Sequence, residues 1–518
     1  MSGVELLVAS MSERGAPDHL AVVDGDFRLR YGELHRLVLS CVASLRAAGI
    51  GHGDRVGYLG LNSLDYIVLL QAALRIGAVT VAVNWRLSAP EIDYIVADAG
   101  IALLVTESAR LMVAAPAIAR SGVRTVLLTA AAHDGRPPFR DWCAAHAPDP
   151  TLADLTAHDV AVQLYTSGTT GHPKGALLTH GALAASLRQG GLTGEDWCRW
   201  SDADRGLVAM PQFHIGGTAF TLQALNAGGT AVLLGRPDIG EMLSMVEREG
   251  ITKMFAVPAV LGQMLAHPLA ATADLSSLRT MLYGASPIPA DVLRRSMRLF
   301  PNAAFVQLYG ATETCGTVVY LPPEDHDVGG TARMAACGKP YPQVELRIVG
   351  SDGADVAFGA IGEVLVRSPL VMRGYHRLAE ATAAAFDGDW YRTGDSGRLD
   401  ADGYLYLHDR VKDMIVSGGE NIYPAEIENV LHDHPAVRDC AIIGVPDNRW
   451  GEAVRAVVVR AAPVEADALI AFARTRLAGY KLPKAIDFVD ELPRNSSGKI
   501  LKRVLRAPFW PDGGRQVA

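Results

Sequence analysis

Apolar residues recur at helical spacing over "YGELHRLVLSCVASLRAAGI" (31–50), which ends near Gly49. That periodicity predicts an amphipathic helix. "DRVGYLGL" (54–61) then predicts a strand, roughly 63–76 a second helix, and "AVTVAV" (78–83) another strand. The strand pattern returns at "IALLVT" (101–106) and "TVLLTA" (125–130). Farther on, "TAVLLG" (230–235), a helix near 239–248, "KMFAVP" (253–258), a further helix and "TMLYGAS" (280–286) repeat the alternation. Helices alternating with strands from 17 to about 400 predict an α/β fold with largely parallel sheets.

The texture changes after about 340. "YPQVELRIVG", "GEVLVRS" and "GYLYLHD" read as short strands joined by Gly/Asp turns, a β-rich subdomain. A helix over about 424–434, strands at "CAIIGV" and "AVRAVVVR", and a helix near 466–478 then predict a small α+β domain. The expected division is an N-terminal domain over 1–411 and a C-terminal domain over 412–518, with a hinge at 409–413.

Composition narrows the class. A chain of 518 residues is too long for one core and implies two or more domains. A net charge of −8 gives a nucleic-acid partner no electrostatic support. Cys41, Cys143, Cys198, Cys315, Cys337 and Cys440 form no C-x-x-C pair and have no His at zinc spacing, so they are expected to be free thiols in a reducing cytosol. The first residues carry early acid and no long apolar core, unlike a secretory signal. The most apolar run, 66–85, carries Gln71 and Arg75 and predicts a buried helix followed by a strand, not a membrane span. A cytoplasmic location is expected, and a homo-oligomer stays open.

Candidate chemistry starts at "TSGTTGHPKG" (166–175), where Thr/Ser hydroxyls and glycines crowd before one lysine. Successive backbone N–H groups in such a turn converge on an anion, and the hydroxyls add donors. It is not the G-x-x-x-x-G-K-[ST] phosphate loop: Lys174 follows Pro173, and Gly175 stands where a metal-binding Ser/Thr belongs. "QLYGATE" (307–313) places an aromatic, a glycine, a hydroxyl and a carboxylate in seven residues. "YRTGD" (391–395) closes a turn with an acid, and "PRNSSGKILKR" (493–503) offers Lys499 after a Gly turn.

Taken together and in this order, "YTSGTTGHPKG", "QLYGATE", "YRTGD", "DRVKDMIVSGGENIYPAEIE" and "PRNSSGKI" resemble the acyl-adenylate-forming superfamily: acyl- and aryl-CoA ligases, luciferases and peptide-synthetase adenylation domains. The likeness covers almost the whole chain. It implies attack of a carboxylate on the α-phosphate of ATP, giving acyl-AMP and pyrophosphate, then displacement of AMP by a thiol, usually that of CoA.

The resemblance also implies roles. Thr166, Ser167, Gly168, Thr169, Thr170 and Gly171 would wrap the β/γ-phosphates, with Lys174 adding positive charge. Glu313 would hold Mg2+, and Thr312 would donate to the α-phosphate. Tyr309, beside Gly310, would stack on adenine. Tyr283, Gly284, Ala285 and Ser286 would line the base and the acyl head. Asp395 would accept from the ribose hydroxyls, and Arg410 would contact ribose or phosphate. Lys499 would bridge the acyl carboxylate and the α-phosphate. After adenylation the small domain would turn about Lys412, withdrawing Lys499 and bringing Ser417, Gly418 and Gly419 to a pantetheine tunnel. In "PQFHIGG" (211–217), His214 fits the gate of that tunnel, and Gly216 and Gly217 leave room for the acyl chain. His214 stands where amino-acid-activating relatives carry Asp, which argues against an α-amino acid substrate.

The expected function is an AMP-forming carboxylic acid–CoA ligase acting on a fatty or aromatic acid, with Mg2+ as cofactor and ATP and CoA as co-substrates. The alternative is an adenylating enzyme that passes the acyl group to a carrier protein or an amine. A non-catalytic nucleotide-binding protein would be expected to lack Glu313 or Lys499, and both are present.

Overall fold

The computed structural model describes residues 10–127, 135–166, 173–285, 288, 290–350, 352–410, 415–422, 424–493, 500 and 502–510. Two largely parallel sheets form the large N-terminal domain. In one, strands Ala304–Ala311, Thr280–Gly284, Lys253–Ala256, Arg205–Val208, Thr230–Leu233 and Leu20–Asp24 lie side by side in parallel. In the other, Val160–Thr166, Val79–Ala82, Arg55–Leu59, Ile101–Thr106 and Arg124–Leu127 do the same. Antiparallel strands extend both, notably Gly316–Leu321 on the first and Lys174–Thr179 on the second.

Helices cover both faces of each sheet, as parallel strands without a polar face require. The helices Tyr31–Ala47, Leu64–Ile76, His180–Thr193 and Ile215–Asn226 share one apolar core with strands of both sheets. Leu64–Ile76 is buried at every residue except Asp65, so it lacks the polar stripe of a surface helix. Ser63 caps it, its Oγ accepting from the Tyr66 N–H at 3.2 Å, and Gly77 ends it in the left-handed region. The outer face of the first sheet packs against Ile239–Glu249, Pro258–Ala266 and Ala290–Leu299. The outer face of the second packs against Ala89–Ala99 and Leu111–Ser121.

The expected β-rich module is an antiparallel sheet built on Glu345–Val349, Gly362–Arg367, Trp390–Leu399 and Leu405–Arg410. The smaller C-terminal domain has its own sheet, including Ile415–Ser417, Val437–Asp447, Gly451–Arg460 and Ala485–Val489. Its apolar core is separate and packs against helices Pro424–His432 and Ala466–Arg474. Among the described residues no helix is long and apolar enough to cross a membrane. All six cysteines are free, and all but the half-buried Cys198 are buried.

Candidate active site

The carboxyl ends of the central strands open onto a cavity of about 770 Å³. Strand Val160–Thr166 runs into it and strand Lys174–Thr179 leaves it, with Thr166 paired opposite Lys174. The hairpin therefore holds both ends of the Gly-rich turn at the cavity wall, and Thr166 and Lys174 line it. Ser167, Gly168, Thr169, Thr170 and Gly171 lie outside the described residues, as do Ser286, Lys412 and Lys499.

Glu313 sits in a short 3-10 turn, Thr312–Thr314, directly after strand Ala304–Ala311. Its Oε1 accepts from Thr166 Oγ1 at 3.1 Å and from the Tyr375 hydroxyl at 3.0 Å. Both donors fall on one oxygen, so Oε2 takes no hydrogen bond among the described residues. The Lys174 ammonium lies 5.0 Å over the Tyr375 ring. No cluster of three or more His, Cys, Asp or Glu that could hold a metal exists among the described residues. A single cavity-lining carboxylate fits Mg2+, which keeps its waters and binds phosphate oxygens instead of needing an all-protein cage.

Across the cavity, Asp395 lies in strand Trp390–Leu399 and is buried. It accepts from the Tyr309 hydroxyl at 2.7 Å, and its own N–H donates to Thr393 Oγ1 at 3.0 Å. The backbone of Arg410 pairs opposite Asp395; its side-chain assignment lies outside the described residues. Gly310, Thr312, Glu313 and Asp395 line the same cavity as Thr166 and Lys174. Gly284 is not on that wall: a Cβ there would meet the Leu308 carbonyl oxygen at 2.1 Å. Ala285, next to it, is exposed and turns the chain with φ 65°.

His214 immediately precedes helix Ile215–Asn226. Asn62 fixes the approach to it: Nδ2 donates to the Met210 carbonyl at 3.0 Å, and Oδ1 accepts from the Gln212 N–H at 2.7 Å. The small domain meets His214 directly. Glu420 Oε2 bonds His214 Nε2 at 2.9 Å, and Glu420 Oε1 pairs with Arg86. Burial alone would raise the Glu420 pKa, yet His214 and Arg86 hold it below the usual carboxylate value. Beside this contact a cavity of about 50 Å³ runs between the domains, lined by His214, Val257, Gly418 and Gly419. Ser417 is not on its wall; it is buried in strand Ile415–Ser417, opposite Glu420.

A second polar contact joins the domains nearby. Lys481, 1% exposed, donates to Glu91 of the large domain and Glu426 of the small domain, each at 2.7 Å. Tyr480, next to it, accepts from Asn84 Nδ2 at 3.2 Å. Burial pushes the Glu426 carboxyl up to about 7, partly opposed by Lys481 and reinforced by Glu91.

The acyl side differs from expectation at two residues. Gly216 lines a third cavity of about 120 Å³. Gly217 faces inward instead, where a Cβ would lie 2.2 Å from the Pro211 carbonyl oxygen. Tyr283 is on the opposite face of its strand, its hydroxyl 2.8 Å from His326 Nε2 and its ring beside Phe305. The preceding residue, Leu282, lines the cavity. Strand alternation sends neighbours to opposite faces, and both faces here are buried, so hydrophobicity alone could not choose between them. Tyr375, Arg86, Glu91 and Lys481 lie in no motif of the sequence, and Glu420 lies in "SGGEN", beside Gly419.

The family model described as "AMP-binding enzyme" matches residues 10–376, and "AMP-binding enzyme C-terminal domain" matches 426–499. A fatty acid–[acyl-carrier-protein] ligase, ScoC of Streptomyces coeruleorubidus, is 41% identical over 94% of this chain and 93% of its own length. A feruloyl-CoA synthase of an Amycolatopsis species is 43% identical over 96% and 97%. The solved amide bond synthetase McbA of Marinactinospora thermotolerans superposes with a TM-score of 0.87 at 32% identity, covering 97% of this chain and 99% of that one. With motifs, two-domain fold and shared cavity in agreement, this chain belongs to the AMP-binding, adenylate-forming enzymes.

Proposed function

We propose that the chain is an AMP-forming carboxylic acid–CoA ligase that activates a fatty or aromatic acid with ATP and passes the acyl group to the CoA thiol. One observation carries the reading: the cavity that gathers Thr166, Lys174, Glu313 and Asp395 adjoins, at His214, a narrow passage lined by Gly418 and Gly419.

The first step must bring a carboxylate to a polyanion. Thr166 and the turn 167–171 would donate to the β/γ-phosphates, with Lys174 adding charge. Thr312 would donate to the α-phosphate, Asp395 would accept from the ribose hydroxyls, and Tyr309 would flank the adenine beside Gly310. Arg410 would contact ribose or phosphate, and Lys499 would bridge the two reacting anions. Donors preorganised in this way act where charge develops. Glu313 would hold Mg2+, which when bound neutralises phosphate charge.

The second step needs access for a thiol. We place the domain division at 411/412, with Lys412 in the hinge. Docked as here, the small domain presents Gly418, Gly419 and Glu420 to the cavity beside His214, and a side chain at 419 would press on Val257 in its wall. The three relatives are named for a carrier protein, CoA and an amide product. The glycine-lined cavity between the domains, beside His214, supports a thiol acceptor over an amine.

The test is product analysis with ATP, Mg2+ and an acid panel, offering CoA or a free amine. Acyl-CoA with AMP is the expected result. Amide formation without CoA would instead establish the alternative acceptor.

A further inference from the structure

The cavity of about 120 Å³ beside Gly216 holds a cation that the two-step chemistry does not use. Lys253 begins strand Lys253–Ala256 and is 5% exposed. Its Nζ donates to the Trp197 carbonyl at 3.2 Å and to Thr280 Oγ1 at 3.3 Å, and lies 5.4 Å from the centroid of the Trp200 ring. No carboxylate forms a salt bridge with it among the described residues, although the charge of buried Asp204 lies near enough to offset part of its desolvation. Burying an ammonium without a paired anion is costly. A neutral donor could tie the 197 carbonyl to Thr280 without that cost. Burial lowers the Lys253 pKa, as expected of a desolvated cation.

Two residues on the wall of the same cavity carry a buried polar atom with no hydrogen-bond partner among the described residues. One is Trp197, through its Nε1–H. The other is Gln189, 3% exposed, which donates from Nε2 to the Thr317 carbonyl at 2.9 Å, leaving Oε1 with no partner among the described residues. The Thr317 carbonyl can only accept, so the amide is oriented and Oε1 remains an acceptor. The other walls include the aromatic rings of Trp200, Phe220 and Phe255.

Position completes the picture. Lys253, Thr280 and Ala304 share one register level, and Leu308 lies four residues along its strand toward Gly310 and the nucleotide cavity. Four strand residues span about 13 Å. Lys253 is thus at the end of the acyl cavity remote from the reacting carboxylate.

We propose that Lys253 is a specificity-determining residue that selects an aromatic acid bearing a ring hydroxyl remote from its carboxylate. This rests on the ligase reading above. The hydroxyl oxygen accepts from Lys253 or Trp197 Nε1, and its proton is donated to Gln189 Oε1, while the ring lies among the aromatic walls. A second carboxylate would suit the site less well, because an ionised carboxylate only accepts and would leave Gln189 Oε1 unpaired.

The test uses the full-length wild-type chain with ATP, Mg2+ and three acids: 3-phenylpropenoic acid, its 4-hydroxyphenyl analogue and its 4-carboxyphenyl analogue. Pyrophosphate release is read for each. The hydroxylated acid should be favoured over the unsubstituted one by at least about 10-fold in kcat/KM, mainly through KM. Lys253→Met should erase that preference, bringing the ratio of kcat/KM for the hydroxylated and unsubstituted acids down to about 1. Equal use of the hydroxylated and unsubstituted acids by the wild type, or preference for the dicarboxylic acid, overturns the proposal. A binding measurement needs neither a variant nor turnover: without ATP, the hydroxylated acid should bind the wild-type chain at least about 10-fold more tightly than the unsubstituted acid. Equal affinities also overturn it. Absence of pyrophosphate release with every acid would count against the ligase reading instead, and the affinity ratio would still decide the role of Lys253.

Discussion

Glu420 of the small domain bonds His214 of the large domain at 2.9 Å and pairs on its other oxygen with Arg86. One buried carboxylate thus joins the two domains at the point where the cavity of about 770 Å³ meets the smaller one between the domains. The contact exists only in a docked arrangement, so its value should appear in the step that uses that arrangement.

Glu420→Ala leaves Arg86 and His214 without their anion. Removing one member of a buried ion pair costs about 3–5 kcal/mol. Thioester formation from supplied acyl-AMP and CoA should fall at least about 100-fold, while pyrophosphate release changes little. Single-turnover measurements of the two half-reactions check this, and an equal loss in both would argue against a docking role.

Gly419→Val tests the passage. A Cβ at 419 would lie 3.1 Å from Val257 Cγ1, and the backbone there has φ +82°. Branched side chains are strained in that region, and added bulk narrows the cavity. The thiol step should slow and adenylation persist, read again with supplied acyl-AMP. Unimpaired thioester formation would place the thiol's route elsewhere.

Glu426 gives a pH dependence. Its carboxyl is pushed up to about 7 in the folded chain, mainly by burial, from an ordinary 4.5. A raised carboxyl pKa means that the folded state holds the proton more tightly. Its contribution is therefore full below about 4.5 and is lost as pH rises through about 7. The loss is on the order of a few kcal/mol. Thermal midpoints of wild type and Glu426→Gln between pH 5 and 8 should show a steeper fall for the wild type; parallel curves would refute the assignment.

Glu313→Gln removes the charge but keeps an acceptor for Thr166 and Tyr375. Pyrophosphate release should drop by roughly 10²–10³, with a higher Mg2+ requirement. A magnesium titration of the first half-reaction distinguishes this from simple loss of fold.

Lys499→Ala should abolish adenylate formation and spare thioester formation from supplied acyl-AMP. The residue lies outside the described part of the chain, so this prediction rests on the "PRNSSGKI" motif. If both half-reactions fell together, alternation of the small domain would not describe this enzyme.

The linear text determined the alternation of helices and strands, the change of texture after 340 and the order of the motifs. It did so because a Gly-rich stretch such as "TSGTTGHPKG" and a short motif such as "QLYGATE" are made by consecutive residues. Thr166 and Glu313, 147 positions apart, could be named from such motifs before their 3.1 Å contact was visible. Only the tertiary structure decided that Tyr283 turns away from the cavity beside Gly216, that Lys253 enters it, and that Glu91, Glu426 and Lys481 meet between the domains. In a parallel sheet covered on both faces, hydrophobicity does not mark which side a residue takes. A buried ion pair depends on the register and docking of segments hundreds of residues apart, and no local pattern along the chain carries that information.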